Sequence, residues 1–180
     1  MPSKHSWSWP LALAFALPAC SPSDAGDPDA RPARDGGDGS RVDARIVDEG
    51  NLTWRRANLT NFTSYPEPGS EECEEFNGCT WAGHFAFVEG QQSEAWVMAH
   101  NIAAVHARDA DAYALKTLRL RSDDGRRIDV TVYDLCSDSD CGGCCTRNAA
   151  ETGFLIDLES YTAERFGLWH GLVDFACLDC

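Results

Sequence analysis

Leu118-Arg119-Leu120-Arg121-Ser122-Asp123-Asp124-Gly125-Arg126-Arg127-Ile128-Asp129-Val130-Thr131-Val132-Tyr133-Asp134-Leu135-Cys136 alternates apolar and polar residues on both sides of an Asp-Asp-Gly turn. Period-two alternation is the mark of strands with one face buried, and Asp-Asp-Gly supplies the residues a tight reversal needs. The stretch therefore predicts a β-hairpin. Working outward, Phe154–Leu158 (FLIDL), Leu172–Cys177 (LVDFAC), Trp96–Ala99 and Ile102–Val105 are predicted as further short strands. One short helix is predicted between Asp157 and Gly167, with Asp157 or Ser160 as its N-cap and Gly167 as its left-handed stop. Several short strands, one small helix and many cysteines predict a mainly β fold, a compact barrel or sandwich stapled by disulfides.

The chain has 180 residues with a formal net charge of −14, from 15 Lys plus Arg against 29 Asp plus Glu. Such a surface does not suit a binder of nucleic-acid phosphates. No apolar run after the N-terminus reaches the roughly 20 residues of a membrane span. The first 19 residues read as an export signal, with Lys4 and His5 ahead of the short apolar run Leu11–Ala19. Leu17-Pro18-Ala19-Cys20 resembles a bacterial lipobox, which implies that Cys20 carries a lipid and anchors the protein in the cell envelope. The alternative is an ordinary export signal with Cys20 in a disulfide. Residues 20–44 form an acidic tether with almost no large apolar side chain, too polar to order itself. Residues 45–180 are then a single domain.

Nine cysteines divide as Cys20 plus eight: Cys73, Cys79, Cys136, Cys141, Cys144, Cys145, Cys177 and Cys180. Export favours disulfides, and the eight can pair completely, although eight allow 105 connectivities. Adjacent Cys144 and Cys145 are expected to take different partners. Cys141-x-x-Cys144 and Cys177-x-x-Cys180 also match zinc-ribbon ligand pairs, but 32 residues separate them, more than such ribbons use. Neither a metal nor another cofactor is therefore expected. His84, His100 and His106 read as surface or satisfied core groups.

Asp134 and Asp157 each stand at the end or edge of a predicted strand, where side chains can converge at a barrel mouth. Paired carboxylates suit sugar chemistry, one protonating a glycosidic oxygen while another stabilises charge or activates water. Each has a simpler explanation: Asp157 could cap the helix, and Asp134 could bond its own backbone.

The order of these segments resembles the six-stranded double-psi β-barrel of expansins, barwin-like proteins, rare lipoprotein A and family 45 endoglucanases. In expansin-like domains one Asp follows the hairpin strand in a V-T-D-x-C/Y context, and another lies in H-F-D-L-S or L-D-L-S before the helix. Here Val132-Tyr133-Asp134-Leu135-Cys136 and Leu155-Ile156-Asp157-Leu158-Glu159 are similar to them. Asn61–Pro66 (NFTSYP) resembles the first strand with its Thr63 and Tyr65, and Trp81–Phe87 resembles the aromatic segment beyond it. The resemblance spans about residues 58–180. It implies a groove lined by Asp134, Asp157, Thr63, Tyr65 and Tyr113. Leu155-Ile156 replaces the family's His-Phe, and the chain ends at Cys180, where expansins begin a second domain.

The resemblance implies binding of cell-wall or structural polysaccharide, with loosening of its chains, without hydrolysis. Neutral glucan or peptidoglycan is the expected partner, since an acidic surface repels anionic polymers. Two other readings stand beside it. In family 45 the first strand reads T-x-Y-x-D, its Asp the catalytic base, and Thr63-Ser64-Tyr65-Pro66-Glu67 puts Glu67 there. A β-glucanase using Glu67, or a lytic transglycosylase using Asp157 alone, would then cleave the chain. A protein-interaction or inhibitor domain without catalysis is the third. Trp81, Trp96 and Trp169 join Tyr65 and Tyr113 as rings able to stack on sugar faces.

Overall fold

The computed structural model describes residues 49–180. The expected export signal, Cys20 and the expected tether lie outside them. Among the described residues no helix is long and apolar enough to cross a membrane. The elements are β1 (Arg55–Phe62), α1 (Glu71–Glu74), α2 (Glu94–Ala99), β2 (Ile102–His106), α3 (Ala110–Tyr113), β3 (Thr117–Ser122), β4 (Arg127–Cys136), α4 (Cys144–Asn148), β5 (Leu155–Glu159), α5 (Ser160–Phe166) and β6 (Gly171–Cys177). The six strands close into a barrel in the order β1-β5-β2-β4-β3-β6. Two pairs, β1 with β5 and β2 with β4, are parallel, and the rest are antiparallel.

The hairpin predicted from the alternation is β3–β4. Leu118, Leu120, Val130 and Val132 point inward with almost no exposure. Arg119 and Asp129 pair across the outer face through two hydrogen bonds of 2.7 and 2.8 Å. At the turn Gly125 takes φ +88°, a left-handed conformation that costs glycine least. The barrel interior is filled by Ala57, Leu59, Ala103, Val105, Ile156, Leu158, Val173 and Phe175 from the other strands, and by Phe154 just ahead of β5. Removing these side chains from water is the main force holding the sheet closed. Phe154 and Phe175 stack at 4.5 Å, centroid to centroid.

Three local expectations are corrected. Residues 96–99 are helical rather than extended: Ser93 Oγ accepts the Trp96 N–H at 3.2 Å, and Glu94, Ala95 and Met98 are good helix formers. The first strand runs from Arg55 to Phe62, because Ala57 and Leu59 carry its inward alternation, and the chain has left the sheet by Thr63. The cap of α5 is neither Asp157 nor Ser160 but Glu159, fully buried, whose Oε2 accepts the Tyr161 N–H at 2.7 Å. Gly167 does end that helix at φ +70°.

All eight cysteines from Cys73 onward are paired, as Cys73–Cys79, Cys136–Cys145, Cys141–Cys144 and Cys177–Cys180. Cys144 and Cys145 do bond to different partners. Each C-x-x-C closes on itself, so the two do not join as ligand pairs of one ribbon. Cys136–Cys145 ties the end of β4 to α4, and Cys145 Sγ lies 3.8 Å from the sulfurs of both Cys141 and Cys144. Asp138 reinforces this loop by accepting the Thr146 N–H and Oγ–H at 2.9 and 2.6 Å, which hold its carboxyl below the usual range. Buried His106 meets Thr146 Oγ1 through Nε2 at 3.0 Å, so the loop is also tied to β2.

Candidate functional site

One row of side chains crosses four strands on the outer face of the barrel. Thr60 of β1 is opposite Asp157 of β5, Asp157 is opposite Ala104 of β2, and Ala104 is opposite Asp134 of β4. Residues directly opposite in a sheet share a face, and strands lie about 4.8 Å apart, so the two aspartates stand about 10 Å apart at the backbone. Only the methyl group of Ala104 lies between them. All four residues line a groove of about 530 Å³, within the roughly 300 to 1,000 Å³ of small-ligand sites. The carboxylates thus meet on the barrel wall, not at its mouth.

A break in the ladder makes this possible. Strict alternation from Val130 and Val132 would send Asp134 into the core. Between Ala103 and Ala104 the β2–β4 register shifts, so Ala103 pairs with Val132 while Ala104 pairs with Asp134. Such a bulge re-aims the residues after it. Tyr133 keeps the outward place its alternation gives it, in the outer apolar cluster of Phe85, Val97 and Ile102, and the shift lets Asp134 face outward beside it. On β5 the alternation is undisturbed, with Leu155, Asp157 and Glu159 outward and Ile156 and Leu158 inward.

Among the described residues Asp157 has a single side-chain hydrogen-bond partner: Thr60 Oγ1 donates to its Oδ1 at 2.7 Å. Burial raises the Asp157 carboxyl to about 7; Thr60 opposes the shift, and the charges of Glu72 and Asp134 add to it. Asp134 Oδ1 accepts the Ala86 N–H at 2.9 Å, which fastens the overlying segment to β4. Burial raises it to about 6, against the N–H groups of Ala86 and Leu135. Two carboxyls poised near neutrality can give or take a proton there.

The groove walls come from two loops. One follows β1: α1 carries Glu72, and the Cys73–Cys79 disulfide holds Phe76 and Gly78 beside it. Ser70 caps α1, its Oγ accepting the Cys73 N–H at 3.2 Å. Burial also raises Glu72, although the Thr63 N–H bonds to it. Further along, Trp81 and His84 line the rim, their rings edge-on at 6.3 Å. Trp81 is 61% exposed and Phe76 39%, an unusual state for large apolar side chains beside a cavity. The opposite wall is the disulfide loop, with Cys136, Ser137, Asp140, Cys141, Cys144 and Asn148.

The residues expected at the site divide. Asp134, Asp157 and Thr63 line the groove. Tyr65 does not: it packs in the outer cluster, and its hydroxyl donates to the Gln92 carbonyl, bracing the strap that carries Trp81. Tyr113 is elsewhere, edge-on to Phe154 at 5.2 Å, its hydroxyl accepting from Arg55 at 2.7 Å beside a separate depression near Cys177 and Cys180. Glu67 is exposed in the Pro-Glu-Pro-Gly turn, outside the groove. Trp96 is stacked on His100 at 3.9 Å, and exposed Trp169 lies away from the groove.

Thr60 and Glu72 were missed. Thr60 lies one position ahead of Asn61–Pro66, the stretch that resembles the first strand, whereas β1 runs from Arg55 to Phe62. Glu72 belongs to the run Glu71, Glu72, Glu74 and Glu75, where nothing distinguishes one carboxylate from its neighbours; the short spacing of Cys73 and Cys79 was the signal that this loop is held. Neither a family model nor a curated protein matches the chain.

Proposed function

We propose that this is an exported, lipid-anchored protein whose barrel binds a structural or cell-wall polysaccharide in the groove over Thr60, Asp157, Ala104 and Asp134. The observation that carries the reading is that two half-buried carboxyls lie on the floor of an open groove whose rim exposes Trp81 and Phe76. Carboxyls and hydroxyls on the floor hydrogen-bond sugar hydroxyls, while flat rings cover the apolar face of a pyranose. The two parallel pairs within a closed six-stranded barrel, with Asp157 just before the helix, support a double-psi, expansin-like identity. Retention of the purified protein on insoluble glucan and peptidoglycan tests this reading. Binding lost in Trp81→Ala and Asp134→Asn is the expected result, and no retention on either polymer rejects it.

A second reading, cleavage of the glycan, is favoured by Asp157 and Glu72. The Asp157 carboxyl is raised to about 7, so near neutral pH a substantial fraction of it still holds a proton to give to a glycosidic oxygen. Glu72 supplies the second carboxylate that exposed Glu67 cannot. New reducing ends formed by the wild-type protein and abolished by Asp157→Asn support cleavage; bound polymer that stays intact leaves binding alone.

A further inference from the structure

We propose that the groove selects a glycan bearing free amino groups, a polymer of glucosamine-type units with unacetylated nitrogens. This rests on the glycan-binding reading and names its substrate class.

Among the described residues Glu72, Asp134, Asp140 and Asp157 line the groove, no Lys or Arg does, and His84 is its one imidazole. On the β1–β6–β3 side of the barrel arginines pair with carboxylates: Arg56 with Asp123 and Asp174, Arg119 with Asp129, Arg121 with Asp174 and Arg126 with Asp124. Those acids each face an arginine, whereas among the described residues the groove's carboxylates form no ion pair. The raised carboxyls of Asp134 and Asp157 have the same origin, burial without a Lys or Arg of the described residues beside them to favour the charged form. A ligand ammonium supplies that missing cation, where a carboxylated or sulfated polymer would be repelled.

Two features independent of charge favour a sugar over a cationic peptide. Trp81 and Phe76 offer exposed ring faces, which take both a pyranose face and a neighbouring ammonium. Ser64, 7% exposed, lines the groove, and its Oγ has no hydrogen-bond partner among the described residues. A buried hydroxyl left unpaired is costly, and a sugar hydroxyl or amine can satisfy it.

Calorimetric titration of the full, disulfide-intact chain with four hexamers tests the proposal: glucosamine, N-acetylglucosamine, cellohexaose and hexalysine, each at low and high salt. The glucosamine hexamer is expected to bind at least about tenfold more tightly than either neutral sugar, with the advantage shrinking as salt screens it. Glu72→Gln and Trp81→Ala should each weaken it about five- to tenfold, while Glu151→Gln and Glu164→Gln, exposed acids outside the groove, should not. Equal binding of all three sugars overturns amine selection and leaves glycan binding intact. Binding of no sugar overturns both. Hexalysine bound as tightly as the glucosamine hexamer, or insensitivity to both groove substitutions, shows only attraction of a polycation to an acidic surface and overturns the proposal.

Discussion

Replacing Asp157 with asparagine removes the ionisable group that the groove accommodates least well while keeping its shape and an acceptor for Thr60 Oγ1. In the unfolded chain this carboxyl loses its proton near the ordinary value of 3.8, whereas in the folded protein it holds the proton up to about 7. Between those limits the folded state binds more protons than the unfolded one. Stability must therefore fall as pH rises from about 4 to about 7, and the loss is complete above that window. At ~1.36 kcal/mol per pKa unit, the interval corresponds to about 4 kcal/mol at most. Solvent in the open groove screens part of the charge, so a gain of about 2 to 4 kcal/mol is expected for Asp157→Asn at pH 8, with almost none at pH 4. Urea unfolding of both proteins at the two pH values, disulfides intact, measures it. Asp134, raised to about 6, remains in the variant and should leave a shallower slope between about pH 4 and 6. A variant no more stable than wild type at pH 8, or one destabilised equally at both pH values, would refute the claim that Asp157 is a strained, uncompensated acid.

Other consequences follow from the same geometry. Glu72→Gln removes a negative charge that helps raise Asp157, so the Asp157 carboxyl should titrate at lower pH, read from its side-chain carbon resonance; an unchanged or higher value contradicts the placement of Glu72. Because Trp81 is 61% exposed, Trp81→Ala should change unfolding free energy by less than about 0.5 kcal/mol while reducing glycan retention severalfold. Gly83→Ala should cost about 2 to 3 kcal/mol in urea unfolding, since a β-carbon there meets the Gln92 carbonyl and the Tyr65 hydroxyl at a backbone φ of +70°. Replacing Cys136 and Cys145 together with serine should cost about 3 kcal/mol, from the closure entropy of a loop of about ten residues, and should expose the groove wall to protease.

How far the site could be read ahead of the structure depended on which interactions are local. Alternation around Leu118, Leu120, Val130 and Val132, the Asp-Asp-Gly reversal and the Gly167 stop are encoded within a few neighbouring residues. The short spacings of the cysteines likewise let four disulfides close within the loops that carry them. Asp134 and Asp157 stood out because each is a carboxylate interrupting an apolar strand. The sequence by itself therefore determined a mainly β, disulfide-stapled, strongly acidic domain and, of its groove, Thr63, Trp81, Asp134 and Asp157. The remainder was decided by pairings between distant segments. Thr60 reaches Asp157 across 97 positions because β1 and β5 run parallel, and periodicity within either strand carries no record of its neighbour. The register shift at Ala104 turned Asp134 outward against its own alternation, since closing the barrel required β2 and β4 to match both inside and outside that point. Glu72 entered the groove, and Tyr113 and Glu67 stayed out of it, because loop positions follow the walls they pack against, and those walls exist only once the sheet has closed.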